Sequence, residues 1–155
     1  MSPTRSSIHG CWLGAYERKN ALLLASLCQP GMTVFDVGAN AGYFTILFAT
    51  AVGEHGRVIA FEPDPQNLLA LNRHASLNRL SDVIVVGSAV ADRGGQTNFD
   101  CSASMGKVAN EGALKVPTCS LDDYRMPDLV KMDIEGGEVI ALQGAGNILR
   151  AKQTT

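Results

Sequence analysis

Apolar positions change period several times along the chain. From Tyr16 to Gln29 (YERKNALLLASLCQ) they recur at helical spacing and stop at Pro30-Gly31, a pair that ends helices. Met32–Val37 (MTVFDV) is instead a short continuous run rich in β-branched and aromatic residues, the pattern of a buried strand. Gly42–Gly53 is long enough for a helix and stops at glycine, and Gly56–Asp64 reads as a second strand. Pro65–Asn78 reads as a helix with proline in its first turn, and Asp82–Val90 as a third strand. Apolar strands alternating with helices predict an α/β fold, a mostly parallel sheet covered on both faces. Right-handed crossovers follow by default.

The middle of the chain, Ala91 to Tyr124, is glycine-rich, small and polar. Its two strand candidates, Gln96–Asp100 and Lys115–Thr118, predict an antiparallel excursion beside a loop, and Asp122-Asp123 the start of a turn. Pro127–Glu138 restores a buried strand, and the helix after it, to Arg150, is weakened by Gly144 and Gly146. The only repeat is the strand-helix rhythm itself.

Composition narrows the class. A chain of 155 residues predicts one domain, residues 1–155, with an N-terminal helix or lid segment (1–31), a core (32–149) and a short tail (150–155). Apolar residues at 46% and charged residues at 18% argue against disorder. A formal charge of −2 without any Lys/Arg block argues against a nucleic-acid partner. No apolar stretch approaches the roughly 20 residues of a membrane span, and the N-terminus has no apolar signal core, so no membrane partner and a cytoplasmic protein are expected. Cys11, Cys28, Cys101 and Cys119 have no CxxC spacing and read as idle thiols rather than metal ligands. His9, His55 and His74 are scattered, His74 falling mid-helix where it is solvated or packed.

The chemistry gathers in VFDVGANAGYFT, Val34 to Thr45. Ligands of an open parallel sheet bind outside the carboxyl ends of its strands. Asp36 lies near that end of the first strand. Gly38 and Gly42 lack a Cβ and let backbone approach a ligand, and the following helix points free N–H groups the same way. Glu62 ends the second strand 20 residues beyond Gly42, the reach of an acid that accepts ribose hydroxyls. A dinucleotide site wants G-x-G-x-x-G, whereas Gly-Ala-Asn-Ala-Gly preceded by a carboxylate suits an amino-acid ammonium. S-adenosyl-L-methionine, a nucleoside carrying an amino acid and no phosphate, fits both facts.

At these residues the chain resembles a known family. VFDVGANAGYFTILFA, GRVIAFEPDPQNLLALNRHASLN, SAVADRGG and LVKMDIEGGEVIALQGAGNIL are similar to the FkbM-type methyltransferases, over about Gly10 to Leu149. The resemblance implies a Rossmann-like class I methyltransferase fold, a three-layer sandwich with S-adenosyl-L-methionine as cofactor. The implied reaction is O-methylation of a small-molecule hydroxyl acceptor, a sugar or natural product. It places Asp36, Gly38, Asn40 and Gly42, with Phe44 and Thr45, at the methionine end. Glu62 would hold the ribose, Pro63 the adenine face, and Ser88 and Ala89 the adenine edge, where many class I enzymes have an acid in place of Ser88. Tyr16 and Glu17 match a segment that closes over the cofactor. Asp133 and Glu135 fall where the fourth strand opens onto the transferred methyl, Asp133 as base or substrate-orienting acceptor; no metal is expected.

Plainer roles compete. Asp133 suits the cap of the next turn, Glu135 a partner for Lys131, Asp36 a capping or packing residue, and Asn67 and Asn78 helix ends. The family sheet has seven strands, so the later strands are expected to be missing after LRAKQTT. The fourth strand would then be an exposed apolar edge, covered by a homodimer or left by truncation. Rival functions are an S-adenosyl-L-methionine-binding domain without catalysis and a nicotinamide-dependent oxidoreductase. The missing third glycine argues against the latter.

Overall fold

A computed structural model describes residues 18–100, 107–108, 114–134 and 136–151. Helix α1 (Arg18–Leu27) precedes β1 (Thr33–Val37), α2 (Tyr43–Val52), β2 (Arg57–Phe61), α3 (Pro65–Leu77) and β3 (Val83–Val86). Strands β4 (Ala89–Val90), β5 (Gly95–Asp100), β6 (Lys107–Val108) and β7 (Leu114–Cys119) follow, then a 3-10 turn at Leu121–Asp123. The last elements are β8 (Leu129–Met132), α4 (Glu138–Gln143) and α5 (Gly146–Ala151).

The main sheet has the order β3-β2-β1-β8, and all its pairings are parallel. The chain therefore moves outward from β1 through β2 to β3, then returns to the other side of β1. That reversal opens a crevice between the carboxyl ends of β1 and β8, where open α/β sheets bind ligands. β8 forms the edge among the described residues, as the sequence predicted for the fourth strand.

Alternation along each strand sorts the core into two layers. On one face Val34 and Val58 pack with Ala21 of α1 and Phe44, Phe48 and Val52 of α2. On the same face Ala60 meets Leu71 of α3. On the other, Phe35, Val37, Ile59 and Phe61 pack against Leu121, Ala141 of α4 and Ile148 of α5. Tyr124 stands edge-on to Phe61 and Phe35, with centroids 5.0 and 6.4 Å apart, the arrangement aromatic quadrupoles favour. Burial pushes its hydroxyl up to about 12. Cys119, beside it, is a buried free thiol whose pKa burial also raises.

The strand read from Pro127 to Glu138 spans only Leu129–Met132, and two further elements divide where their sequence pattern runs on. The run Asp82–Val90, expected as one strand, divides at Gly87-Ser88. β3 pairs with β2, whereas β4 pairs with β7 in a second four-stranded sheet of order β4-β7-β5-β6. The expected antiparallel pair is present there as β5 and β7. The last helix breaks at Gly144, where an added Cβ would overlap the Ala91 carbonyl oxygen. The Gly144 carbonyl accepts from Ser120 Oγ at 2.6 Å and from Asp122 N at 3.0 Å. Asp122 in turn accepts from Asn147 N and Ile148 N at the start of α5, at 2.8 and 3.2 Å. The turn predicted at Asp122-Asp123 thus fastens the last helix to the sheet.

Ser120 is buried and also caps the 3-10 turn. Ser120→Ala should lower unfolding free energy by about 1–2 kcal/mol, from the lost cap and the lost carbonyl bond. Urea denaturation measures this, and an unchanged midpoint would show that the latch is dispensable.

Candidate functional site

Two turns build the mouth of the crevice. After β1, the Gly38 and Ala39 amides both donate to the Phe61 carbonyl at 3.0 Å, which folds the chain back over the end of β2. Asn40 adopts a left-handed conformation with φ 51°, and its side chain accepts from Ala41 N at 2.6 Å. Gly42, with φ 95°, is the N-cap of α2. His74 Nδ1 lies 2.7 Å from the Ala41 carbonyl and so carries the proton there, tying α3 to this turn. After β2, Asp64 caps α3 by accepting from Gln66 N and Asn67 N at 2.7 and 3.2 Å.

Glu62 joins the two turns. It is 5% exposed. Its Oε2 accepts from Asn40 N at 2.7 Å, and its Oε1 from Asp64 N at 2.9 Å and Asn67 Nδ2 at 3.3 Å. Burial raises its pKa above the ordinary carboxylate value, and the Asp64 and Asn40 amides offset part of that rise. A carboxylate has about four acceptor positions. Among the described residues three are filled, so Oε2 retains one.

Asp36 stands deeper. It is fully buried in β1, its Oδ2 accepting from Thr45 Oγ1 at 2.6 Å. Its Oδ1 accepts no hydrogen bond among the described residues and faces Lys131 Nζ at 3.2 Å. Lys131 is the register partner of Asp36 on β8. Its ammonium also donates to the Gly38 carbonyl at 3.0 Å and lies 5.2 Å from the centre of the Phe44 ring. Asp36, Thr45 and Phe44 are thus support beneath the crevice, not a surface. The sequence reading turns the Asp36 carboxylate toward a ligand ammonium; in the structure it faces an internal cation, Lys131. Lys131 was not singled out as a site residue. Its sequence signal was a lysine inside an apolar strand (LVKM), opposite an aspartate inside another.

The glycines also have a reason other than ligand access. A Cβ at Gly38 would overlap the Asp133 carbonyl oxygen, and one at Gly42 would sit 2.6 Å from Leu71 Cδ1. Their backbones approach the protein's own chain. Pro63 and Ser88 are half-buried near the strand ends, but Ala89 packs into the second sheet's core with Phe99 and Val116 and offers no face to a ligand. Asp133 is exposed and its amide donates to the Val37 carbonyl at 3.0 Å, which sets it at the β1–β8 crevice. Tyr16, Glu17 and Glu135 lie outside the described residues. Asn67, expected only as a helix end, also orients Glu62.

A parallel sheet whose order reverses beside β1, with a buried acid closing the second strand, defines the class of Rossmann-like domains. The family model "Methyltransferase FkbM domain" matches residues 36–155, and the chain belongs to that family. The hexuronic acid methyltransferase AglP of Haloferax volcanii is 29% identical over 139 residues, which cover 83% of this chain and 56% of that protein. The solved methyltransferase FkbM of Methylobacillus flagellatus superposes with a TM-score of 0.61 at 25% identity, over 79% of this chain and 31% of that one. A precorrin-6y C5,15-methyltransferase of Geobacter metallireducens has the same fold, with a TM-score of 0.56 at 20% identity, over 83% of this chain and 55% of that one. This chain therefore spans about half the length of the hexuronic acid methyltransferase or less than a third of the FkbM structure.

Gly31 and Gly38 separate conformational strain from collision. Both have positive φ, 88° and 78°, but nothing lies within 4 Å of a Cβ at Gly31. Gly31→Ala should cost about 1–2 kcal/mol for the left-handed conformation. Gly38→Ala should cost a further 1–3 kcal/mol, roughly, for overlap with the Asp133 backbone. Equal shifts in denaturation midpoint would sink the collision argument.

Proposed function

We propose that this domain binds S-adenosyl-L-methionine and transfers its methyl group to a hydroxyl oxygen of a sugar or natural product. The observation that carries the reading is Glu62: a carboxylate fixed by three donors between both turns, with one acceptor position left on Oε2. That position suits one ribose hydroxyl without displacing any bond, and release of the longest bond, from Asn67, would admit the second. Pro63 and Ser88 would border the adenine. A sugar as acceptor follows the hexuronic acid methyltransferase, from similarity alone, and a hydroxyl as the methylated group follows the resemblance to the family.

The cofactor would supply an electrophilic methyl on a sulfonium. The protein's part is to align an acceptor oxygen with it and to handle the acceptor proton. Asp133 is the candidate, an exposed carboxylate beside the carboxyl end of β1. It would accept the hydroxyl's hydrogen bond and orient its lone pair toward the methyl.

Calorimetric titration with S-adenosylhomocysteine tests the reading. Saturable binding is expected, and Glu62→Ala should weaken it at least tenfold in a protein that still melts cooperatively. Unchanged affinity in that variant would remove Glu62 from the site. The pH dependence is a second readout that needs no variant. The ionised carboxylate is the better acceptor of ribose hydroxyls, and burial raises its free-state pKa above the ordinary 4.5. Affinity should therefore be full near neutrality and fall as pH drops, starting above pH 4.5. A flat profile through that window would contradict the assignment.

A further inference from the structure

The sign of charge beneath the crevice is the reverse of what Asp36 suggests. Asp36 has 0% side-chain exposure and is neutralised by Lys131, whereas the Lys131 side chain retains 10%. An ammonium has three N–H groups. One donates to the Gly38 carbonyl at 3.0 Å, and one faces Asp36 Oδ1 at 3.2 Å. No acceptor for a third is present among the described residues. The nitrogen lies against the first residue after β1, so it has climbed from its register position beside Asp36 toward the carboxyl end of the sheet. The less deeply buried member of the pair is thus the cation, and its head lies toward the carboxyl end of the sheet.

We propose that Lys131 is the carboxylate-recognising residue of the cofactor pocket, its free N–H taking the carboxylate of the ligand's amino-acid end. This rests on the S-adenosyl-L-methionine reading above. Asp36 then holds the lysine head in place, and Thr45 holds Asp36. Phe44 beside Nζ limits the directions the head can take.

The test is a cycle between protein and ligand. Wild type and Lys131→Met/Asp36→Asn are each titrated with S-adenosylhomocysteine and with its decarboxylated analogue, which keeps the nucleoside, thioether and amine. The double substitution removes one charge of each sign, so net charge is unchanged and no buried charge is orphaned. Wild type should favour the carboxylated ligand by at least ten times the ratio shown by the variant. Equal ratios in the two proteins would overturn the proposal. If wild type binds neither ligand, the cofactor reading fails and this inference with it.

A signal from Lys131 itself covers the case in which the variant does not fold. The Nζ resonance in nitrogen-labelled wild type should move on adding S-adenosylhomocysteine and stay in place with the analogue. Equal movement would overturn the assignment. An acceptor is the other source of a carboxylate. Lysine-dependent binding of glucuronate to the S-adenosylhomocysteine complex, with the cycle ratios equal, would assign the residue to the acceptor and overturn the assignment to the cofactor.

Discussion

The buried pair between Asp36 and Lys131 is the constraint around which the crevice is arranged. Each charge removed from water is costly by several kcal/mol, and the attraction between them offsets that only with good geometry and further polar partners. The fold supplies those partners from three elements: Thr45 from α2, the Gly38 carbonyl from the turn, and the register of β1 with β8. A one-residue slip of β8 would turn Lys131 to the opposite face of the sheet and leave Asp36 alone. The pair thus specifies the register of an edge strand with only four residues, which has little pairing energy of its own.

Glu62 applies the same principle between the two turns. Its three donors are two backbone amides and a side-chain amide, drawn from both turns. Burial works against its charge, and the amides work for it. The residue therefore has a structural duty, to hold the turns at a fixed separation, as well as an acceptor position to spare. Removing it would disturb both, so binding loss by itself would not distinguish them. The acid limb of the affinity profile can, because titration leaves the chain intact.

The sheet was legible in the sequence because buried parallel strands read as continuous apolar runs, and β1, β2 and β8 do. The splitting of Asp82–Val90 was not, since nothing in Gly87-Ser88 says that the next two residues pair in a different sheet. That choice is made by β7, far along the chain. Within the site, the residue types were readable and their directions were not. Asp36, Glu62 and the glycines were singled out from spacing, but Asp36 found its partner 95 positions away on β8. Ala89 was placed at the adenine edge by resemblance, although its side chain faces the second sheet. Lys131 escaped notice because a lysine in a strand ordinarily signals an edge exposed to water, and this one turns inward.

The turn after β1 is held in place by contacts within the protein itself. Gly38 is pressed against Asp133, and Gly42 against Leu71, before any ligand arrives. Asn40 is locked by its own side chain on Ala41 and by Glu62 on its amide. The turn is therefore ordered in advance, which spares a ligand much of the entropy cost of arranging its site. The same rigidity suits the turn to one ligand shape shared across a family and unsuits it to choosing among acceptors. Under the proposed function, acceptor choice would fall to elements the core does not fix, such as the chain around the exposed Asp133, beside the strand that forms the edge of the sheet among the described residues.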